Sequence, residues 1–369
     1  MPRTALLDRL EEARASPVIS VVAPPGYGKS TLLAQWAERV QHGVGWVSLD
    51  HRDNDPAVLL THIVIALDRI EPLDPTLFRA LSAAGASVTV PRGLASAMAA
   101  TSRPPSLVLD HLDAVTSREC LDAIAQIAVG LPPGSQLALG SRERVPLPEA
   151  RLRAQGGVVE IGLGDLAMDE AEASSLLEAA GVRLTDTEVQ ALVGRTEGWP
   201  VGLYLAALAV RRGARSTDVA VAVTGDDRFI ADYLRAEFLD RVSPAEASFL
   251  TRTSVLDSMC GPLCDAVLSG TRSGQVLESL ESRNLLVIPL DRRRDWYRYH
   301  ALFRDLLSRE LRRREPQIAG TLQLRASEWY EANGMPEDAI DHAQAAGDAD
   351  RVARLVLAIA NPAWASGRA

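Results

Sequence analysis

Ala23-Pro24-Pro25-Gly26-Tyr27-Gly28-Lys29-Ser30-Thr31 is the stretch on which the reading of this 369-residue chain turns. Of the 39 lysines and arginines, Lys29 is the only lysine. The segment reads as a P-loop with Ala23 where the strict pattern has glycine. A lysine there is a flexible point charge that reaches β- and γ-phosphates, whereas arginine's planar fork directs its donors differently. Gly26 and Gly28 let the backbone turn N–H groups toward phosphate oxygens. Ser30 would offer a hydroxyl to Mg²⁺, and the helix that follows points its positive end at the anion. Pro25, Tyr27 and Thr31 complete the loop.

The surroundings agree with the motif. Val18-Ile19-Ser20-Val21-Val22 is a short apolar run suited to a buried parallel strand. Thr31 to Ala37 has apolar positions at helical spacing. Further strands are predicted at 45–50, 106–110, 136–142 and 158–161, alternating with helices, among them 57–70 with Leu59, Leu60, Ile63, Val64 and Leu67 inward. This is an α/β pattern with a parallel sheet.

From about residue 163 the strand signals stop. Amphipathic helices are predicted at 169–180, 185–195, 199–211 and 227–240, with a small, polar loop over 212–226. Ser243-Pro244 opens a helical run. Two more helices and two strands, 285–290 and 296–300, then give the order of a winged helix. Helices 326–332 and 336–345 form a pair of tetratricopeptide-like spacing. The expected organisation is a nucleotide-binding domain over 1–162, a helical lid over 163–241, a winged helix over 242–314 and the start of a TPR-like arm over 315–369.

Composition narrows the function. A net charge of −9 argues against a chain that coats nucleic acid along its surface. The three cysteines, Cys120, Cys260 and Cys264, do not make a disulfide framework and read as buried thiols. No apolar run is long enough to span a bilayer and the N-terminus lacks an apolar signal core, so a cytoplasmic chain is expected.

Several single residues carry chemistry. Asp110 ends an apolar strand about eighty residues after the P-loop, where a carboxylate holds Mg²⁺, often through water. His111 follows where a second carboxylate would orient attacking water, which hints at slow hydrolysis; Asp113 is the substitute within reach. Arg142, at the tip of the next strand, either senses a γ-phosphate or is a surface arginine beside Glu143 and Arg144. Asp50 ends a strand on the edge where ligands gather and either contacts Mg²⁺-bound water or caps the next helix. Gly198-Trp199-Pro200 opens an apolar helix, an ordinary place for proline and also one that a nucleotide-packing lid would use. The arginines at 292–294, 298, 304, 309 and 312–314 form either a solvated charged face or a DNA-binding wing.

Taken in order, these segments resemble the STAND ATPases of the maltose-regulon activator type, the large LuxR-family regulators. The resemblance rests on 23–33, Trp46 to Asp50 with Asp53 and Asn54, and Leu107 to Asp110. It continues through Ser141-Arg142, Arg151 to Ala154, Thr196 to Pro200, Leu280-Glu281 with Asn284-Leu285, Tyr297 to Phe303, and Trp329-Tyr330. It implies a nucleotide-binding domain, a lid, a winged helix and a helical superhelix, with ADP holding a closed monomer. An inducer, not identifiable from the sequence, and ATP would favour a self-associating form. It also implies that Pro200 approaches the adenosine end, that His300 touches the ADP β-phosphate, and that Arg3 lies near the base. DNA would be reached only through a domain outside this chain, which stops after one helix pair. Two further readings stand beside the switch: a P-loop ATPase with steady turnover, and a DNA-binding module using the arginine-rich wing.

Overall fold

The computed structural model describes residues 3–41, 43–82, 85–144, 157–211 and 227–365. The expected loop over 212–226 and the segment Arg151 to Ala154 lie outside the described residues. The chain divides into two compact units, Met1–Ala167 and Met168–Ala369.

The first unit is built on five strands: β1 (Val18–Val22), β2 (Val44–Ser48), β3 (Ser106–Asp110), β4 (Leu137–Ser141) and β5 (Val158–Ile161). They form one parallel sheet in the order β2-β3-β4-β1-β5. β3 and β4 are buried at every position, as continuous apolar runs require when helices cover both faces of a strand. The edge strand β2 alternates, with Gly45 and Val47 buried between more exposed neighbours. Helix Pro56–Asp68 buries Leu59, Leu60, Ile63, Val64 and Leu67 completely, as its spacing predicts. Asp55 caps that helix by accepting from Ala57 N at 2.8 Å. Asp50 is also a cap: its carboxylate accepts from Arg52 N at 2.7 Å, and Asp53 returns the favour to Asp50 N.

The order of strands places the site. β4 lies between β1 and β3, with Val22 level with Ser141 and Leu109 level with Leu139. The C-terminal tips of β1, β4 and β3 are therefore neighbours. Ligands gather at that edge of an open parallel sheet.

The second unit begins with helices Glu170–Ala179, Asp186–Thr196 and Pro200–Arg211. Thr185 and Glu188 form a capping box on the second of these. Helices Arg228–Glu237, Pro244–Thr253, Gly261–Leu268 and Ser273–Ser282 follow, then the antiparallel pair β6 (Val287–Pro289) and β7 (Tyr297–Tyr299). Both strands are shorter than expected. Asn284 and Leu286 have left-handed backbones, at φ 52° and 56°, which delays entry into the ladder. The wing turn is held by Asp291, whose carboxylate accepts from Arg293 N and Trp296 N, each at 2.8 Å.

Helix Ala301–Arg314 continues the unit. The antiparallel pair Ala319–Ala332 and Pro336–Ala346 leads to helix Ala349–Ala365. The pair turns through Gly334, at φ 74°. The arginine-rich stretch is an ion-paired face in large part. Arg294 meets Glu281 at 3.3 Å, Arg298 meets Glu197 at 2.7 Å, Arg304 meets Asp257, and Arg313 and Arg314 meet Glu310 at 2.9 and 2.8 Å. All three cysteines are free and buried. Among the described residues, no helix is long and apolar enough to cross a membrane.

Candidate nucleotide site

The P-loop leaves β1 and enters helix Lys29–Arg39 through two left-handed glycines, Gly26 at φ 83° and Gly28 at φ 80°. A side chain at either position would be strained, so the motif's glycines are conformational requirements here. Gly28 is the N-cap and has no side chain to satisfy the first-turn N–H groups. These donors, with the helix dipole, form a ready anion site. Tyr27 is buried, 1% exposed, and anchors the loop's middle in the core. Lys29 Nζ donates to the carbonyls of Ala23 at 2.7 Å and Pro24 at 3.0 Å. The ammonium is thus folded against its own loop, within the arc where phosphates would sit.

Asp110 ends β3 and is 3% exposed. Its Oδ1 accepts from His111 N at 3.0 Å, and Oδ2 lies 3.6 Å from His111 Nδ1. His111 itself is left-handed, at φ 61°, with its side chain half exposed. A residue missed by the motif reading sets this corner: Gly140 on β4. A Cβ there would lie 2.5 Å from Asp110 Oδ1 and 3.0 Å from a methyl of Leu33. Only glycine leaves Asp110 its position beside the P-loop helix. A glycine inside an otherwise apolar strand is a sign of such close approach.

Arg142 follows Ser141 at the tip of β4. Its backbone N donates to Asp113 Oδ1 at 2.8 Å, and its Nε lies 3.7 Å from Asp113 Oδ2. Asp113 is therefore a clamp on Arg142, and its carboxylate is engaged there instead of standing in for a water-orienting group. The loop carrying it is braced by Asn54. That side chain accepts from Thr116 N at 2.7 Å and Ser117 N at 2.8 Å, and donates to Ala114 O at 2.8 Å. Arg3 is 7% exposed; its guanidinium donates to Leu166 O at 2.8 Å and Asp165 O at 3.0 Å, closing helix Leu163–Leu166. Its backbone N reaches Gln35 of the P-loop helix at 3.0 Å.

The donor set fits a magnesium nucleotide. A serine hydroxyl and one carboxylate leave room for the waters and phosphate oxygens that Mg²⁺ prefers. The glycine loop offers its N–H groups, and Gly140 leaves the carboxylate clear.

Pro200 and His300 belong to the second unit, where both are buried. His300 Nε2 lies 3.0 Å from Thr196 O, an acceptor, so Nε2 carries the proton. Its ring packs edge-on against Trp199, with centroids 5.9 Å apart. Nδ1 is buried and has no hydrogen-bond partner among the described residues. Burial lowers the His300 pKa; neighbouring Glu197 pulls the other way. The neutral ring thus presents a lone pair at Nδ1, and donating to a phosphate from that atom would need a second proton.

Glu197, left-handed at φ 51°, lies in the Thr196-to-Pro200 segment of the resemblance but was given no role of its own by sequence reasoning. It grips Arg298 through two bonds of 2.7 and 2.9 Å and accepts from Ala301 N at 2.9 Å. Burial alone would raise its pKa, but Arg298, His300 and the Ala301 N–H together lower it. Arg195 pairs with Asp305 close by. The helices before and after the winged-helix strands are fastened together at this point.

A parallel five-stranded sheet with a P-loop after β1 and an acidic tip on the strand beyond β4 defines the P-loop NTPase fold. Its second unit carries a winged helix. The comparisons agree. Residues 235–319 match the family described as the MalT winged helix domain. Over 96% of its length the chain is 34% identical to serine/threonine-protein kinase PknK of Mycobacterium tuberculosis (strain ATCC 25618 / H37Rv). It is 30% identical, again over 96%, to the HTH-type transcriptional regulator MalT of Yersinia enterocolitica. The chain spans 32% and 40% of these relatives' lengths. The Walker-type ATPase paby2304 of Pyrococcus abyssi shares the fold, with a TM-score of 0.55 at 17% identity, over 84% of this chain and 97% of that one. The chain thus has the P-loop NTPase fold followed by a MalT-type winged helix, and it resembles the MalT-type regulators along the segment they share.

Proposed function

We propose that the chain is the nucleotide-dependent switch module of a larger signalling or transcriptional regulator. The observation that carries this reading is the convergence, at one sheet edge, of the P-loop, Asp110 and Arg142, with Asp110 set in place by Gly140. The relatives add a second support. One is named a kinase and the other a transcriptional regulator, yet both share this segment. A segment common to two different outputs is more readily a control element than an output.

In this reading ATP and ADP bind through the N–H groups of Pro25-to-Thr31 backbone that proline leaves available, chiefly those of Gly26 to Thr31. Lys29 exchanges the Ala23 and Pro24 carbonyls for β- and γ-oxygens. Ser30 and Asp110 hold Mg²⁺, which, when bound, offsets phosphate charge. Arg142 reads the γ-phosphate from a main chain fixed by Asp113. Arg3, Pro200 and His300 belong to the same reading as nucleotide-binding residues. ADP corresponds to a resting state and ATP to a self-associating one, in the cytoplasm, with an inducer sensed elsewhere and DNA contacted only through another domain. Because His111 occupies the place after Asp110, turnover is slow, well below the roughly 10 s⁻¹ of a median enzyme.

The test is to denature freshly purified protein and identify the released nucleotide, then titrate stripped protein with ATP and ADP by calorimetry while following size by light scattering. Bound ADP, tight binding of both nucleotides and growth only with ATP are expected. Absence of binding to either would end the reading. Fast steady turnover would replace the switch with an ordinary ATPase.

A further inference from the structure

One amide ties two strand tips of the first unit together. Asn54 ends the short turn His51–Asn54 that follows β2. Its Oδ1 accepts from Thr116 N at 2.7 Å, from Ser117 N at 2.8 Å and from Thr116 Oγ1 at 3.1 Å. Its Nδ2 donates to Ala114 O at 2.8 Å and to His51 O at 3.2 Å. Both halves of the amide are used, and these partners fix which end is oxygen. All but the His51 bond run to the segment 111–117, between β3 and helix Arg118–Gly130.

The turn that carries Asn54 is held from two sides. Asp53, buried beside it, accepts from Asp50 N at 2.7 Å, and its Oδ1 lies 2.8 Å from Nδ1 of His62 on helix Pro56–Asp68. The segment 111–117 has less support of its own. Leu112 and Val115 are buried in the core, and Ala114 N and Val115 N bond back to His111 O and Leu112 O, each at 3.0 Å. The next two N–H groups, those of Thr116 and Ser117, are taken by Asn54. Asp113 stands in the middle of this segment, with Arg142 N on its Oδ1.

We propose that Asn54 is a positioning residue that sets the preference of the nucleotide site for ATP over ADP, by keeping Asp113, and through it Arg142, in register with the γ-phosphate; this rests on the reading of Arg142 as the residue that meets that phosphate. A contact is as precise as the groups that lock it in place. Arg142 meets a phosphate that only ATP has, so loosening it changes ATP affinity and leaves ADP affinity as it was. Among the described residues Asn54 bonds only to His51 and to the segment 114–117, so the P-loop, which holds what the two nucleotides share, does not depend on it. A side chain that merely stabilised the unit would weaken both nucleotides together. Alanine at 54 leaves two N–H groups and a carbonyl without their partner. Aspartate keeps the acceptor and loses the donor to Ala114 O.

The whole chain, stripped of nucleotide, is titrated by calorimetry with ATP and with ADP in the presence of Mg²⁺. Wild type is compared with Asn54→Ala, Asn54→Asp, Arg142→Ala and the double variant Asn54→Ala with Arg142→Ala. Asn54→Ala should lower the ratio of ATP to ADP affinity by about tenfold, with ADP affinity kept within about twofold, and Asn54→Asp should lower the ratio by about threefold. Once Arg142 is alanine, Asn54→Ala should change the ratio by less than about twofold, because the two act through one contact. Hydrogen exchange in Asn54→Ala should rise over 111–117 and not in β1 or the P-loop. If Asn54→Ala does not fold, Asn54→Asp takes its place in the same comparisons. The proposal is overturned, with the reading of Arg142 intact, if Arg142→Ala lowers the ratio and the folded Asn54 variant does not. It is overturned equally if the Asn54 variant weakens ATP and ADP alike, or if the two substitutions lower the ratio independently. A wild-type ratio in Arg142→Ala would remove the reading of Arg142, and a wild type that binds neither nucleotide would remove the site; either takes the proposal with it.

Discussion

The two units place their important groups differently. In the first, the candidate site consists of main-chain donors, glycines and a few short polar side chains at the sheet edge. Gly26, Gly28 and Gly140 matter for what they lack. In the second, the fastening around Glu197 consists of long side chains and a buried ring: Arg298, Arg195, Asp305, Trp199 and His300. The first arrangement leaves room for an anion. The second spends most of its polar groups on one another, His300 Nδ1 excepted. A site prepared for exchange of ligands and a junction prepared to stay closed are distinguishable by where hydrogen bonds are already made.

The largest expected effect falls on the first unit. Lys29→Ala removes the principal phosphate cation, which should weaken ATP and ADP by at least about a hundredfold in calorimetry. The melting of the second unit should not change. Wild-type affinity in this variant would break the contrast, because the loop would then not be an exchange site. Gly140→Ala comes next. Its Cβ would press on Asp110 Oδ1 and Leu33, so a loss of about 1–3 kcal/mol in stability is expected by denaturant titration. Magnesium-dependent nucleotide affinity should fall with it. An unchanged Mg²⁺ requirement would show that Asp110 is not the metal carboxylate.

The contrast also explains what was legible in the sequence. The P-loop, its strand and its helix could be read because local conformation fixes them: two left-handed glycines, an apolar run and a 3.6-residue spacing lie within 23 consecutive residues, Val18 to Val40. Leu59, Leu60, Ile63, Val64 and Leu67 were legible for the same reason. Gly140 was readable in principle, as a glycine in an apolar strand, but its partner Asp110 lies thirty residues away on a neighbouring strand. Glu197 lies in the segment Thr196 to Pro200 that carries the resemblance, but no local signal gave its role. Its role depends on Arg298 and Ala301, about a hundred residues on, and its left-handed backbone has no glycine to advertise it. The short β6 and β7 were overestimated because positive φ at Leu286 cannot be read from an apolar run.

Glu197→Gln tests the junction. The amide keeps the size but removes the charge that holds Arg298 and the Ala301 N–H. The pair is partly exposed, with side chains 21% and 36% accessible, so the loss is set at about 1–3 kcal/mol instead of a fully buried pair's value. A double-mutant cycle with Arg298→Ala separates the pair from each residue's other contacts. A coupling near zero would mean that the junction is held by packing around Trp199 and His300.

The smallest effect expected is that of pH, and its sign follows from burial. His300 and His342 both have pKa values lowered from the ordinary 6.5, chiefly because burial disfavours the charged ring. The unfolded chain therefore takes up protons before the folded unit does. The stability these neutral rings allow is present above about pH 6.5 and is lost as the pH falls below it toward the lowered folded values. The carboxylates with lowered values, such as Glu197, act in a separate window below the ordinary 4.5. Hydrogen exchange read by mass spectrometry should thus rise in helices Asp186–Thr196 and Ala301–Arg314 between about pH 6.5 and 5, by up to about tenfold after correction for intrinsic rates. His300→Asn, which cannot take up the proton, should flatten part of that rise at the cost of lower stability at pH 7. A pH-independent profile in the wild type would mean that the rings titrate alike in the folded and unfolded chain, so that burial does not hold them neutral.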